Sequence, residues 1–295
     1  MCKLKILLLG KKGQLGWEAQ RELFCLGDVF AYDYPEIDFL QPDPIINLIQ
    51  EIQPDLIFNA IAYTAVDKAE SEPETATKIN ADTPGLIAEA CKQKRIPMIH
   101  ISTDYVFDGL LGRDYFEGDK PSPINVYGSS KLLGEQYIQQ SGCDFLIFRT
   151  SWVYSMREGG FLQKVIQWSK NYEILRIVDD QIGNPTWARM LANLTTRFLP
   201  ASKELLNEFF RQHKGLYHLA GGGSVSRYAW TKYIIDTLPK DIHIKTKSVV
   251  PAKTIEFPTP AARPLHSALN CIKFENEFNL KIPDWKLSLS LSLIN

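Results

Sequence analysis

A mostly apolar run over residues 4–9 ends directly on Gly10, and Gly13 and Gly16 follow at intervals of three. No other feature limits the fold as much. Glycine permits a turn too tight for a side chain. A helix that opens straight after the turn presents unpaired backbone N–H groups at its positive end. Strand, tight turn and helix together are the first half of a βαβ unit, with room for a pyrophosphate at the bend. The spacing is GxxGxxG and not GxGxxG, so the turn alone fits a phosphate cradle or a plain strand–helix corner.

The pattern downstream repeats this unit. The spacing of Leu15, Ala19, Leu23 and Leu26 predicts a helix over 14–26. Short apolar strands are expected at 28–32, 55–59, 97–102 and 145–149. Helices are expected at 42–53, 73–94 and 127–140, with Pro84 and Gly85 interrupting the second of these. Strands that alternate with helices build a parallel sheet covered on both faces, so the fold class is α/β: a doubly wound parallel sheet, the Rossmann fold. After residue 150 the alternation loosens. Residues 239–264 hold five of the 17 prolines, which predicts a smaller, loop-rich α/β lobe for substrate. The expected division is a dinucleotide-binding domain over 1–150, rejoined by 184–200 and 215–237, and a substrate lobe over 151–183 and 238–295.

Composition removes several function classes. The net charge of -1 gives no basic field for nucleic acid or an anionic membrane. The five cysteines are widely spaced with no CxxC, which argues against a disulfide framework or a zinc site. Reduced thiols, the short first apolar run and no signal-peptide pattern lead to an expected cytoplasmic location. None of the five histidines forms an HxH or HxxxH pair, so no metal site is predicted. Neither a GxSxG elbow nor a GxxxxGK[ST] loop occurs.

The candidate chemistry follows the expected strand ends. Gly10, Gly13, Gln14 and Leu15 form the turn at which a dinucleotide pyrophosphate would sit. Asp33, about twenty residues on, suits the adenosine ribose of NAD, while Lys11 and Lys12 suit the 2′-phosphate of NADP. The two signals leave NADH and NADPH both open. Asp38 and Phe39 are candidates for the adenine. Ala60 and Ala62 leave space for a cofactor across the third strand end. Thr103, ending the fourth strand, can orient a carbonyl or alcohol. Tyr127 and Lys131 are four residues apart, hence one helical turn apart on the same side. An ammonium group there is expected to lower the pKa of the phenol and make it a proton donor.

Taken together, these residues resemble the extended short-chain dehydrogenase/reductase family and, within it, the dTDP-4-dehydrorhamnose reductases. The resemblance runs in order along nearly the whole chain. Its strings are Gly13-Gln14-Leu15-Gly16-Trp17-Glu18, Thr64 to Glu70, Ser102 to Phe107, Asn125 to Gly128, Phe148 to Tyr154, Asp180 to Thr186, and Arg263-Pro264. It implies hydride transfer from NADPH or NADH to C4 of dTDP-4-dehydro-L-rhamnose, giving dTDP-L-rhamnose. Tyr127 would be the general acid, Lys131 its partner on the nicotinamide ribose, and Thr103 the holder of the C4 oxygen. It also implies sugar-nucleotide contacts at Asp104, Trp152 and Arg263, and a relay water near Asn80. Some members bind magnesium at a dimer interface. Arg189 replaces the glutamate they use, so neither magnesium nor that dimer is expected, and a homodimer and a monomer both stay open. Ile61 and Tyr63 stand where many members have alanine and histidine. Two other functions exist among relatives. One is reduction of another 4-keto sugar nucleotide. The other is a non-catalytic, NADP-binding regulatory subunit of methionine adenosyltransferase, which a pull-down for a synthetase partner would detect.

Overall fold

The computed structural model describes residues 3–157 and 159–294; Cys2, one of the five thiols, lies outside them. Strands β1 (Leu4–Leu9), β2 (Gly27–Tyr32), β3 (Leu56–Asn59), β4 (Met98–Thr103) and β5 (Phe145–Thr150) join the later strand Gly215–His218 in one six-stranded sheet. All the pairings are parallel, in the order β2, β1, β3, β4, β5, Gly215–His218. The direction of winding reverses between β1 and β3, and in such sheets the ligand crevice lies beyond the strand ends at that switch.

Alternation along the strands makes two cores from one sheet. Ile6, Leu8, Phe58 and Phe148 face one side, packed with Ala19 and Leu23 of helix Gln14–Leu23 and Leu191 of helix Ala188–Thr196. Leu7, Leu9, Ile57 and Ile147 face the other, packed with Ile45 and Ile49 of helix Pro42–Ile52 and Ile87 of helix Thr83–Lys94. Burial on both faces is why these strands read as continuous apolar runs.

The helix expected over 73–94 is present with a change of pitch: Pro73–Thr77, a π-helical turn Lys78–Asp82, then Thr83–Lys94. Pro84 has no N–H to give the turn below it, and the wider turn falls just before it. At that point the Asn80 carbonyl lies only 2.1 Å from where a Cβ on Gly134 would sit, so two helices touch backbone to backbone.

A third core gathers Tyr154, Leu162, Trp230 and Trp285. It joins helices Gly160–Asn171, Arg227–Thr237 and Trp285–Ser292, next to the parallel pair Ile174–Val178 and Ser248–Ala252. Of the segments expected to rejoin the first domain, helix Ala188–Thr196 packs on Gln14–Leu23, and Gly215–His218 extends the large sheet. Helix Arg227–Thr237 packs instead on Gly160–Asn171 and the short parallel pair. Among the described residues, no helix is long and apolar enough to cross a membrane.

Candidate active site

The glycine turn is fixed by close approach. Gly10 has φ +92°, and a Cβ there would lie 2.9 Å from the Ala60 carbonyl carbon and oxygen. A Cβ on Gly16 would lie 1.9 Å from the Gly10 carbonyl oxygen. Both positions therefore require glycine, and the spacing brings β1, β3 and the first helix together at the switch point. Gln14 ties the turn to the next lobe: its Oε1 accepts from Ser155 Oγ at 2.9 Å and its Nε2 donates to the Val153 carbonyl at 3.4 Å. Leu15 buries its side chain in the core, leaving its backbone at the turn.

Asp33 braces this turn. Its two carboxylate oxygens accept from the Lys12 and Tyr34 backbone N–H groups, each at 2.7 Å. Lys11 pairs with Glu36 at 2.7 Å, and Lys12 Nζ donates to the Tyr34 carbonyl at 2.6 Å. Asp38 Oδ1 accepts from the Leu40 N–H at 3.0 Å. Phe39 is buried, and its carbonyl accepts from Thr83 Oγ1 at 2.9 Å.

A cavity of about 480 Å³ opens from the turn, lined by Lys12, Gly13, Gln14, Leu15, Ala60, Ala62, Thr103, Asp104, Tyr127, Lys131 and Trp152. The structure thus brings the strand-end residues and the Tyr–Lys pair to one wall. Tyr127 and Lys131 lie on helix Val126–Ser141, capped by Asn125, whose Oδ1 accepts from the Gly128 N–H at 2.7 Å. Thr103 Oγ1 donates to Asp104 Oδ1 at 3.2 Å and accepts from the Tyr105 N–H at 3.2 Å. Asp104 is buried and its Oδ2 accepts from Ser267 Oγ at 2.5 Å. Burial raises its carboxyl to about 6 against the pull of these hydroxyls.

The expected effect of Lys131 on the phenol is corrected by the geometry. Lys131 Nζ lies 3.2 Å from His100 Nε2 and donates to the Ile101 carbonyl at 2.7 Å. Burial drives the Tyr127 phenol well above its ordinary value, opposed by a hydrogen bond with Thr103. The phenol is therefore fully protonated at neutral pH, the state a proton donor needs.

Trp152 lines this cavity, and Arg227, which lies over its indole, lines a second one of about 440 Å³ with Tyr105, Lys164, Gln181, Thr254 and Arg263. The φ of Trp152 is +43°, and its indole lies where a Cβ on Gly183 would be, 2.5 Å from Cε2. The Arg227 guanidinium lies 3.5 Å over the indole. Arg263 donates to Asp67 Oδ2 and to the Ala261 carbonyl, each at 2.7 Å. Sequence reasoning missed Lys164 and Arg227. Nothing local marks them among 33 lysines and arginines; only the packing of the second lobe aims them at Arg263.

The model of the RmlD substrate binding domain family matches residues 4–295. The chain belongs to this family. Among curated members it is 40% identical to the dTDP-4-dehydrorhamnose reductase of Escherichia coli K12 over 295 residues, covering 98% of this chain and 97% of that one. It is 37% identical to the enzyme of the same name from Burkholderia thailandensis over 292 residues, again covering 98% and 97%. Among solved structures, the dTDP-4-dehydrorhamnose reductase of Bacillus anthracis in complex with NADP superposes with a TM-score of 0.87 at 32% identity, covering 99% of both chains.

Where the RmlD resemblance implied a carboxylate for magnesium, Arg189 Nε reaches Glu18 Oε2 at 3.3 Å. A guanidinium has no lone pair to ligate a cation. Among the described residues no group of three His, Cys, Asp or Glu side chains converges as a metal site. Tyr63, the other departure, donates its hydroxyl to Glu72 Oε2 at 2.6 Å, while its backbone N–H donates to Asn80 Oδ1 at 2.8 Å.

Proposed function

We propose that this protein is an NAD(P)H-dependent reductase that converts dTDP-4-dehydro-L-rhamnose to dTDP-L-rhamnose. The observation that carries the reading is the meeting of Thr103, Tyr127 and Lys131 in a cavity that begins at the glycine turn. When bound, the nicotinamide cofactor supplies a hydride to C4 of the sugar. Backbone N–H groups of Gly13, Gln14 and Leu15 would hold its pyrophosphate beside Gly10. Asp33, Asp38 and Phe39 lie toward the adenosine end, and Ala60 and Ala62 leave it room.

The chain's own part is orientation and the proton. Thr103 holds O4 by its hydroxyl. As negative charge grows on O4, Tyr127 donates its phenolic proton. An alkoxide is a stronger base than a phenolate, so a phenol kept protonated by burial still gives up its proton downhill. Lys131 faces the ribose end of the same wall. Trp152 offers the sugar an aromatic face, and Lys164, Arg227 and Arg263 suit the paired negative charges of a diphosphate. Such an enzyme acts in the cytoplasm, where reduced nicotinamide cofactors are supplied.

The test is oxidation of NADPH and of NADH by purified protein with enzymatically generated dTDP-4-dehydro-L-rhamnose. Turnover is expected, and Tyr127→Phe should reduce kcat by roughly 10²–10⁴, the loss of a general acid. Unchanged kcat in Tyr127→Phe would remove the residue from this role. Tight cofactor binding with no turnover would move the substrate to another sugar nucleotide.

A further inference from the structure

Behind Lys131 runs a buried chain of hydrogen bonds whose polarity is set by the backbone. The Ile61 N–H donates to Asn59 Oδ1 at 3.0 Å. A backbone N–H can only donate, so the oxygen end of the Asn59 amide is fixed on that side. The amide nitrogen then faces His100 Nδ1 at 3.1 Å. An amide NH₂ can only donate as well, so Nδ1 must be the unprotonated, accepting nitrogen. Asn59 and His100 are fully buried. Burial and the neighbouring Lys131 both hold the ring's pKa well below its ordinary value, so the ring is neutral and carries one proton. That proton is on Nε2, and Nε2 faces Lys131 Nζ at 3.2 Å.

An N–H pointing at Nζ is a hydrogen bond only if the amine has a free lone pair. An ammonium there sets two donors against each other. To relieve that clash by the other His tautomer would turn Nδ1–H onto the Asn59 NH₂, and flipping Asn59 would turn its NH₂ onto the Ile61 N–H. A charged Lys131 therefore leaves one mismatch somewhere along the chain, and an uncharged Lys131 leaves none. We propose that Asn59 and His100 are positioning residues that hold Lys131 as an amine which gains and loses its proton in the working range of the enzyme, in place of a fixed cation.

The other groups around Nζ are consistent with a poised lysine. From β4, besides His100, it meets the Ile101 carbonyl, to which an amine N–H donates. On its own helix, the phenol of Tyr127 is protonated and neutral. Glu135, one turn further on, attracts positive charge, but its carboxylate is taken by Arg149 from β5 at 2.9 and 2.6 Å and by Ser102 from β4 at 2.5 Å. Burial lowers Lys131 to about 8, with Glu135 acting in the opposite sense.

This inference rests on reading Tyr127 and Lys131 as the reaction's acid and its neighbour, but its test needs no turnover. Long-range ¹⁵N–¹H correlation spectra of the labelled enzyme report which nitrogen of each histidine carries the proton, and His100→Gln assigns the His100 signals. The expected result is a Lys131 ¹³Cε signal titrating near 8 and, at a pH above that midpoint where Lys131 is an amine, an unprotonated Nδ1 and a protonated Nε2. Asn59→Asp replaces the donor facing Nδ1 with an acceptor. It should move the His100 proton to Nδ1 and raise the Lys131 midpoint by about one unit or more, the size of a charge-assisted bond. The basic limb of the kcat/KM profile should follow it. Nδ1–H in the wild-type enzyme above the Lys131 midpoint overturns the inference, and so does a midpoint that Asn59→Asp does not move. If Asn59→Asp does not fold, the wild-type tautomer decides alone. The expected tautomer in a protein without reductase activity would refute the proposed function and leave the chain of bonds intact.

Discussion

Gly183→Ala isolates the seat of Trp152. A Cβ at this position would lie 2.5 Å from Cε2, 2.8 Å from Nε1 and 2.9 Å from Cζ2 of the indole. Gly183 is not among the glycines with positive φ, so the backbone accepts alanine and the clash is the whole perturbation. The indole cannot simply tilt away. Arg227 lies 3.5 Å over it, and Trp230 stacks at 5.8 Å between centroids. Overpacking of this kind costs about 1–3 kcal/mol. Urea denaturation should show that loss as a lower midpoint with an unchanged slope. In steady-state assays the KM for the sugar nucleotide should rise several-fold while that for NADPH stays within about twofold, because the glycine turn is untouched. The control is Trp152→Ala, which empties the space. In that background Gly183→Ala should cost less than about 0.5 kcal/mol, so that the two substitutions are strongly non-additive. Additive losses, or equal effects on both KM values, would show that Gly183 does not hold Trp152 and would refute the reasoning.

Three further predictions test the surrounding framework. Arg263→Ala should raise the KM for the sugar nucleotide by roughly 10–100-fold, the worth of about 1.5–3 kcal/mol for a hydrogen bond to a charged group; an equal rise for the cofactor would move Arg263 out of the substrate site. Glu135→Gln leaves Arg149 buried opposite a neutral amide and should cost about 3–5 kcal/mol in denaturant, and a loss under about 1 kcal/mol would mean that the pair does not hold the helix to the sheet. Asp104 has a folded value raised to about 6 from 3.8, so between these pH values the folded state binds more protons than the unfolded state. Stability from this group is complete below the lower value and is lost as pH rises through the upper one, by about 3 kcal/mol at roughly 1.4 kcal/mol per unit. Asp104→Asn should abolish that slope in urea midpoints measured from pH 4 to 7, and a variant with the wild-type slope would assign it to another group.

The sheet was legible in the sequence because strands buried on both faces are largely apolar, and β1 and β3–β5 are so up to the polar residues near their C-terminal ends. The glycine turn was legible because Gly10 and Gly16 have no steric alternative. Several helices were not, among them Lys203–His213, Arg227–Thr237, Ile272–Phe278 and Trp285–Ser292. In Lys203–His213 only Leu206 and Phe210 are buried, too few to stand out from the polar residues around them. The site was legible where a residue's position follows from its place on a strand end or helix turn, as with Thr103, Tyr127 and Lys131, which line one cavity. It was hidden where the role depends on a partner far along the chain. Lys164 and Arg227 show this: they line the cavity of Arg263 from segments far along the chain. The direction of the Tyr127 shift was hidden for the same reason, since local spacing gives the distance along a helix and says nothing of the burial that raises the phenol.

Tyr127 is placed by restraints at both ends of its helix, and they differ in kind. At the N-terminal end a Cβ on Gly128 would lie 2.1 Å from the Tyr105 carbonyl oxygen, so Tyr127 is pressed against the segment that carries Thr103. Asn125, which caps the same turn, also donates through Nδ2 to the Ala262 carbonyl at 2.8 Å. That carbonyl is next to Arg263, so the loop bearing the arginine is joined directly to the start of helix Val126–Ser141. Further along, Gly134 rests on the Asn80 carbonyl and Glu135 grips Arg149 of β5. These contacts are buried and bind the helix to the rigid sheet. Lys131 is set against β4 through the Ile101 carbonyl, while Tyr127 lies two positions after Asn125, the residue tied to a loop of the substrate lobe. The spacing of four residues keeps the two in register on that helix.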